Sequence, residues 1–407
     1  MSFNIALSGL QASRSDLDVT ANNIANANTT GFKRSRAEFA DVFSQAYNGN
    51  SSLTPGNGVR LAAITQQFDQ GNIENSSSNL DLAINGQGFF TLRDDSGQVY
   101  SRDGAFQVDR EGFVVNSSGY RLQAFPSLDD EGTQFNTGGL SDLRLDTGIG
   151  PPSATTRIST ALNFRADAEL LGGTGADIDP LLPDSYSYTT AITVYDSLGS
   201  PHTATLYVRR TTDLEYATRV YVDGVDLGTQ DLAFDANGAL VTAQPMTFPN
   251  TFTPTNGASP LNLDYDFTGS TLLGSSFSIN DQRQDGFTTG RLSGLEITSE
   301  GVVAARYTNG RSVALGKVAL ANFDNPQGLS QVGNNAWTES FDSGAAVLGE
   351  AGTASLGLIQ SGGLESSNVD LSQQLVNLIT AQRNFQANSQ VISTADEITQ
   401  TAINLGR

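Results

Sequence analysis

The chain has 407 residues, more than one ordinary domain uses, and 43 Asp and Glu outnumber 22 Lys and Arg to give a net charge of −21. Nucleic acid and membrane lipids are poor partners for so acidic a chain, because both are bound through basic surfaces. The chain contains no Cys and only one His, so the usual ligands of zinc and iron–sulfur sites are missing. We therefore expect no metal and no cofactor.

Apolar residues recur every seven positions at the N-terminus. They are Phe3, Leu10, Leu17 and Ile24, with Leu7 beside them. This spacing predicts an amphipathic helix, because side chains seven positions apart lie on the same face of a helix. The Asn-rich run before Gly31 predicts the end of that helix.

The same spacing returns at the C-terminus. The repeated residues are Leu371, Leu378, Phe385 and Ile392. Ser366 or Asn368 is the predicted N-cap, with Asp370 in the first helical turn. A strict seven-residue repeat predicts a left-handed coiled-coil seam. The alternative is two ordinary amphipathic helices that pack on one globule.

The middle of the chain predicts β structure. Between residues 81 and 125, short segments of alternating apolar and polar residues are separated by turns such as Asp103-Gly104 and Ser118-Gly119. Further blocks run over about 186–279 and 290–323, and a strong hairpin signal lies in TVYDSLGSPHTATLYV. This pattern predicts short antiparallel strands in several β domains.

Charge is divided unevenly between these regions. Residues 1–50 carry four cationic and four anionic side chains, and residues 365–407 carry two cationic and four anionic ones. Most of the negative charge therefore lies in the central β regions. Near-neutral terminal helices can pack against copies of themselves, whereas the acidic middle favours exposure to solvent.

Catalytic chemistry has little support in the sequence. His202 lies near Asp196, Ser197 and Ser200, but all four belong to one hairpin, whereas catalytic triads converge from separate elements. We predict a structural role for His202. A secreted enzyme or adhesin with β domains on a helical stalk is the rival class, and no convergent catalytic set supports it.

Two long motifs at the chain ends carry a family resemblance. The run ALSGLQASRSDLDVTANNIANANTTGFKRS resembles the shared N-terminal motif of bacterial flagellar rod and hook proteins. The run SNVDLSQQLVNLITAQRNFQANSQVISTADEI is similar to the matching C-terminal motif, and Asn85–Phe90 resembles the start of their shared β domain. A long insertion between Asp146 and Asp285, with its YDSLG hairpin, favours the hook members over the alternative, a distal rod subunit.

The resemblance implies a mainly β fold with α-helical termini and nested, discontinuous domains. Residues 1–35 and 365–407 would form a coiled-coil inner domain that lines a channel, followed by a connector over 36–70. A middle β domain would comprise 71–150 and 285–364. An outer β domain, 151–284, would be inserted into the middle domain.

The resemblance also implies a structural function. The chain would polymerise with itself into a flexible helical tube that couples rod to filament and transmits motor torque. Its assembly interface would include the predicted stripe residues, which are Leu7, Leu10, Leu17, Ile24, Leu371, Leu378, Phe385 and Ile392. Further partners would be the distal rod protein, the hook cap protein and the hook–filament junction protein.

Export follows from the same resemblance. The N-terminus lacks the basic segment and apolar core of a cleavable secretory signal. Members of the family leave through the flagellar type III export apparatus, so we expect an extracellular location in the hook and basal body without signal cleavage. Phe39 and Phe43 match a short Phe-x-x-x-hydrophobic pattern linked to the export gate, and a buried amphipathic turn is the alternative.

Overall fold

The computed structural model describes residues 2–42, 56–129, 132–145, 148–353 and 355–405. The chain divides into two compact units. The helix-bearing unit comprises Met1–Asp146, Gly294–Ala305 and Ser312–Arg407, and the inserted unit comprises Thr147–Ser293 and Arg306–Arg311. In the described ranges, no helix has the length and apolar character needed to cross a membrane.

Two long helices form at the chain ends, as the seven-residue spacing predicts. Helix α1 runs over Ser2–Ala25 and helix α2 over Leu371–Leu405. Neither helix contains Pro, and Gly9 is the one glycine inside α1. The Asn-rich run after Ala25 forms turns, which confirms the predicted end of the first helix.

The predicted N-cap of the second helix is wrong by two or more positions. Asp370 is the cap, because its Oδ1 accepts hydrogen bonds from the backbone N–H groups of Ser372 at 2.9 Å and Gln373 at 3.2 Å. Asn368 cannot serve, since its side chain bonds to the backbone of Arg34 and Gln67 instead.

The first strands alternate with the predicted turns. They are β1 Ser35–Asp41, β2 Val59–Gln66, β3 Ile73–Asn75, β4 Leu82–Asn85, β5 Phe89–Arg93, β6 Gln98–Ser101, β7 Phe106–Val108, β8 Val114–Asn116, β9 Arg121–Pro126 and β10 Ser141–Asp142. The next ten belong to the inserted unit. They are β11 Ile149–Gly150, β12 Arg157–Arg165, β13 Tyr188–Tyr195, β14 Pro201–Arg210, β15 Glu215–Val222, β16 Val225–Ala233, β17 Met246–Thr247, β18 Asp264–Asp266, β19 Thr271–Leu273 and β20 Ser278–Gln284.

The remaining strands lead to the second helix. They are β21 Gly290–Ile297, β22 Val302–Tyr307, β23 Ser312–Asn322, β24 Ser330–Gly333, β25 Ala336–Thr338, β26 Val347–Glu350, β27 Leu358–Ser361 and β28 Gly363–Glu365. The mainly β fold class with helical termini is thereby confirmed. The chain passes between the two units within β21 and β22.

An antiparallel sheet forms the body of the helix-bearing unit. Its strand order is β23-β9-β5-β6-β25-β24, with β26 on β23 and β10 on β9. An aromatic cluster fills its core: the ring centroids of Phe89 and Trp337 lie 5.8 Å apart, and those of Tyr100 and Phe323 lie 4.8 Å apart. All four side chains are at least 96% buried, which fixes the sheet through edge-to-face packing.

The segment that follows α1 pairs with the segment that precedes α2. Strand β3 pairs with β28, where Ile73 lies opposite Glu365, and strand β4 pairs with β27. The chain that leaves α1 therefore lies beside the chain that enters α2. The predicted inner, connector and middle domains all fall largely in this unit, and their division stays a prediction.

The inserted unit contains two sheets of its own. One is antiparallel with the order β13-β14-β15-β16, and the other has the order β17-β18-β12-β19 with β20 also on β12. The predicted hairpin is confirmed, since β13 and β14 flank the Asp196–Ser200 turn. Phe164, Tyr216 and Phe267 are fully buried in the unit's own hydrophobic core.

Candidate assembly interface

The two terminal helices pack against each other in antiparallel orientation. Near the start of α1, a Cβ atom added to Gly9 would lie 2.6 Å from Asn388 Oδ1, which is at the middle of α2. Near the end of α1, Asn23 Nδ2 donates a hydrogen bond to Gln374 Oε1 at 3.3 Å, at the start of α2. The glycine inside α1 therefore permits the close approach of α2.

The contacts identified between these helices involve small and polar residues, with Gly9 against Asn388 and Asn23 bonded to Gln374. Buried residues on the two helices are Ala6, Ser13, Val19, Thr20, Asn23, Gln374 and Ala381. Leu10, Leu17 and Ile24 lie four positions after Ala6, Ser13 and Thr20, on the same face of α1, and are half-buried. The buried side of α1 therefore includes small, polar and apolar side chains.

The predicted stripe residues keep part of their surface open. Leu10, Leu17 and Ile24 on α1 are half-buried, as are their counterparts Leu378, Phe385 and Ile392 on α2. Leu7 is 39% exposed and Leu371 is 45% exposed. The structure does not bring these residues into one closed core, so their role as an intersubunit surface stays a prediction.

An apolar patch opens to solvent on the first turns of α2. We call it the α2 patch, and its members are Leu371, Leu375, Val376 and Ile379. Between 45% and 57% of each residue's surface is exposed. Four large apolar residues on adjacent helical turns form a contiguous surface, and contiguous apolar surfaces on soluble proteins mark interaction sites.

A second apolar surface lies where α1 begins. Phe3 forms a groove of about 810 Å³ with Val391, Ala395 and Ile398 of α2. Phe3 is 44% exposed and Ile398 is 64% exposed. Helix α2 continues past this groove to Leu405, beyond the start of α1.

The hairpin of β1 and β2 has an exposed apolar face. Phe39 pairs with Leu61 and Ala37 pairs with Ile64, because a β-bulge shifts the register after Glu38. Ala37 and Phe39 are two apart and therefore share a face of β1, so their partners Ile64 and Leu61 lie on that face as well. Phe39, Leu61 and Ile64 are each more than a third exposed. A two-stranded hairpin is marginal alone. Phe43 lies outside the described residues, so the export pattern stays a prediction.

A buried ion cluster joins the chain after α1 to the chain before α2. The Lys33 Nζ lies 2.6 Å from Glu365 Oε1, and an Arg102 Nη atom lies 3.2 Å from Glu365 Oε2. Lys33 and Arg102 are 1% and 3% exposed, and Glu365 is fully buried. One carboxylate therefore holds two cations away from water.

Further hydrogen bonds support this cluster, although the Nε atom of Arg102 is buried without a partner. Lys33 Nζ also donates to the carbonyl of Asp69 at 2.8 Å, and the backbone N–H of Gly71 donates to Glu365 Oε1 at 2.8 Å. Burial lowers the pKa of Lys33, and the nearby Glu365 carboxylate opposes that shift. Removal of the carboxylate would leave two buried cations without a counter-charge, which is costly in free energy.

Asn368 completes the connection. Its Oδ1 accepts the backbone N–H of Arg34 at 2.8 Å, and its Nδ2 donates to the carbonyl of Gln67 at 2.8 Å. Lys33 lies in the motif run GFK, and Asn368 lies in the motif run SNVD. These structural roles were not predicted from the sequence, because the resemblance of the two runs does not indicate which side chains are buried. The rarity of lysine in the chain was the one signal that could have singled out Lys33.

His202 has a structural setting in the inserted unit. Its Nδ1 lies 2.6 Å from Asp223 Oδ2 and its Nε2 lies 3.3 Å from Asp196 Oδ2. Burial lowers the pKa of His202, but the hydrogen bonds to Asp223 and Asp196 outweigh it and raise the pKa overall. Burial raises the pKa of Asp196, but hydrogen bonds from Asn256, the backbone N–H of Ser200 and His202 outweigh it and lower the pKa to about 2. The imidazole therefore links three elements.

Comparison with known protein families defines the class. Residues 3–33 match the flagella basal body rod protein family, 83–163 match the flagellar hook protein FlgE/F/G D1 domain, 161–287 match the flagellar basal body protein FlaE D2 domain, and 360–405 match the flagellar basal body rod FlgEFG protein C-terminal family. These four matches follow one another along the chain. They place it among the flagellar rod and hook proteins.

Full-length relatives narrow the class to one family. The chain is 36% identical to the flagellar hook protein FlgE of Escherichia coli (strain K12), with all of both chains covered. It is 34% identical to that of Borreliella burgdorferi and 32% identical to that of Rhizobium meliloti, each over 98% of both chains. The chain therefore belongs to the flagellar hook protein FlgE family and is a structural subunit of the flagellar hook.

The fold agrees with this assignment. The crystal structure of Helicobacter pylori flagellar hook protein FlgE2 matches 72% of this chain and all of its own, with a TM-score of 0.55 at 15% identity. The relatives confirm the prediction of a hook protein over a distal rod subunit. They also place the chain in the flagellar hook and basal body, in a structural family with a role in motility.

Proposed function

We propose that this chain polymerises through its terminal helices into a flexible tube that couples rod to filament and transmits motor torque. The observation that carries the proposal is the α2 patch. Its four large apolar residues are 45–57% exposed in the single chain. A helix normally buries its apolar face, so this exposed apolar surface is available for another copy.

A tube requires contacts that do not close on themselves. Such heterologous contacts join one surface of a subunit to a different surface of the next. The helix-bearing unit has distinct apolar surfaces of this kind: the α2 patch, the groove at Phe3 and the hairpin face at Phe39. The predicted stripe residues, from Leu7 to Ile392, would contribute their half-open surfaces to the same packing.

The ion cluster fixes the segments that connect the two helices to the β sheets. Load on α1 or α2 must pass through the segments that contain Lys33 and Glu365, which are joined at 2.6 Å in a fully buried pair. Asn368 adds hydrogen bonds to both neighbouring segments. We propose that this ion cluster carries torque between the inner helices and the β sheets. The inserted unit, which includes residues 151–284, would be the outer domain.

Export and partners are part of the same proposal. The chain would leave through the flagellar type III export apparatus without cleavage of a signal and would reach the cell exterior. There it would contact the distal rod protein, the hook cap protein and the hook–filament junction protein. Phe39 and Phe43 remain the candidate export pattern, and the exposure of Phe39 is compatible with a contact in the polymer as well.

The test is a charge placed on the α2 patch. Ile379→Asp would put a carboxylate where the proposal buries a side chain, so hooks should be absent from cells that carry it. Because Ile379 is 49% exposed in the single chain, the melting temperature of the purified monomer should barely change. Gln386→Asp, an exposed polar position on the same helix, is the matched control and should allow hooks. Normal hooks with Ile379→Asp would overturn the proposal.

A further inference from the structure

His202 joins three parts of the inserted unit that are distant along the chain. Its Nδ1 lies 2.6 Å from Asp223 Oδ2, on the turn between β15 and β16, and its Nε2 lies 3.3 Å from Asp196 Oδ2, on the turn between β13 and β14. Its ring packs edge-on against Phe252, with the ring centroids 4.9 Å apart. Phe252 belongs to residues 249–262, which lie between β17 and β18 and which we call the Asn256 loop. One ionisable side chain is therefore held between two turns and a loop.

Hydrogen bonds fasten the Asn256 loop to the turn that carries Asp196. The Asn256 Nδ2 donates to Asp196 Oδ2, which is the same oxygen that His202 Nε2 faces. The backbone N–H of Ser259 donates to Ser197 Oγ at 2.9 Å. Asp196 is fully buried. The contact of the imidazole and the attachment of the loop therefore meet at one buried carboxylate.

Two carboxylates face His202, and both stay ionised while it titrates. Burial raises the pKa of Asp196, but the hydrogen bonds that this carboxylate accepts, first among them that from Asn256, lower its pKa to about 2. Burial raises the pKa of Asp223 as well, but hydrogen bonds from the backbone N–H of Thr203 and from His202 outweigh it and lower that pKa. The Asn256 loop contains no Asp, Glu, Lys, Arg or His, so it places no charge against the ring.

Loss of the imidazole proton removes one of the two hydrogen bonds. A protonated imidazole donates from both ring nitrogens, whereas a neutral imidazole donates from only one. The shorter contact, to Asp223, retains the remaining proton. The His202 Nε2 then presents a lone pair to Asp196 Oδ2 at 3.3 Å, so two acceptors oppose each other. This contact is unfavourable, because a buried acceptor has lost the donor that faced it.

We propose that His202 is a proton-controlled clasp, which holds the Asn256 loop closed when it is protonated and releases the tip of the loop when it is neutral. The loop is the part that moves, because the two turns connect strands of the sheet β13-β14-β15-β16. The tip, residues 253–260, has no strand pairing, and most of it is exposed. Its base stays in place, since Phe252 and Leu261 exchange backbone hydrogen bonds at 3.1 and 2.8 Å.

Nuclear magnetic resonance of the purified full chain tests the clasp. His202 is the one histidine of the chain, so its ring signals report its ionisation directly. We expect the side-chain amide of Asn256 and the backbone amide of Ser259 to change chemical shift with the same midpoint as His202. Backbone order parameters of residues 253–260 should fall from about 0.85 below that midpoint to less than about 0.6 above it. Amide signals that do not follow His202, or order parameters that stay high above the midpoint, would overturn the inference.

Variants distinguish the clasp from a histidine that only stabilises the fold. His202→Gln has no proton to lose, so the order parameters of the loop tip should not depend on pH. Asn256→Ala removes the bond to Asp196, so the tip should be mobile at every pH while His202 still titrates. Thr255→Ala, at an exposed position of the same loop, is the matched control and should behave as the wild type. A tip that still loosens with pH in His202→Gln, or that stays rigid in Asn256→Ala, would overturn the inference.

Discussion

At the scale of single residues, the chain uses few charges in its interior, and each has a defined partner. Lys33 and Arg102 share Glu365, whereas Lys317 pairs with Glu350 at 2.6 Å. The chain has only two lysines, and both are more than 90% buried. Composition alone shows that lysine is rare, but it does not show that both lysines are structural, because burial depends on pairings distant in sequence.

Glu365→Gln should destabilise the helix-bearing unit strongly. The variant leaves Lys33 and Arg102 buried without a counter-charge, and loss of one partner from a buried pair costs about 3–5 kcal/mol. Urea unfolding of the purified chain measures the change. Glu300→Gln is the matched control, because Glu300 is 70% exposed and lies 4.0 Å from Lys317, so its loss should cost less than about 1 kcal/mol. Similar costs for the two variants would contradict the role of the cluster.

His202 should make the inserted unit more stable in acid than at alkaline pH. The pKa of His202 is raised above its ordinary value of 6.5 in the folded chain, so its stabilising charge is fully present below pH 6.5 and is lost as pH rises through the raised pKa. The difference in melting temperature between wild type and His202→Gln should therefore shrink from about pH 5 to about pH 9. The chain has no second histidine to complicate the result. A difference that grows with pH would contradict this assignment.

At the scale of elements, periodicity in the sequence was sufficient to predict both helices and most short strands. Seven-residue spacing fixes the helical face, and turn residues such as Asp103-Gly104 fix the strand boundaries. The contact between α1 and α2 was not predictable in the same way. Gly9 allows a close approach to Asn388, and Asn23 bonds to Gln374 across the pair. A repeat of large apolar residues does not indicate that these small and polar residues make contacts.

The helix pair should open more readily in the monomer than in the hook. The apolar stripe residues of both helices are at most half-buried in the single chain, so the pair gains less hydrophobic stabilisation than a closed core would, and isolated helices are marginal in water. Hydrogen exchange should be fast in α1 and α2 of the monomer and slow in hooks, with β5 and β9 protected in both. Protection should begin near Lys33 and Glu365, where the ion cluster holds the chain. Equal protection of both helices in the two states would contradict this account.

At the scale of the whole molecule, the insertion begins and ends at one place. Thr156 N–H donates to Asp285 Oδ1 at 2.8 Å, and Ile158 pairs with Gln284 across β12 and β20. The sequence predicted an inserted domain from the resemblance, through the long stretch between Asp146 and Asp285. It could not predict that the chain returns to the inserted unit at Arg306–Arg311, because this short segment carries no composition signal of its own.

Deletion of residues 157–284, with Thr156 joined to Asp285, should leave the helix-bearing unit folded. The two ends are already within hydrogen-bond distance, and a domain with its own core tolerates removal of an insertion between adjacent ends. Trp337 is the single tryptophan and is buried in the aromatic core of that unit. Its fluorescence should report one cooperative urea transition for the deletion variant. A gradual change without a transition would contradict two separately folded units.

The central claim is that the terminal helices join copies of this chain into the hook. Electron microscopy of hooks assembled from this chain, with a helical reconstruction that resolves side chains, tests it most directly. We predict that Leu371, Leu375 and Ile379 are buried against a neighbouring copy, at the inner wall of a tube. A reconstruction in which these three side chains remain in contact with solvent, with the copies joined only through β strands, would contradict the claim.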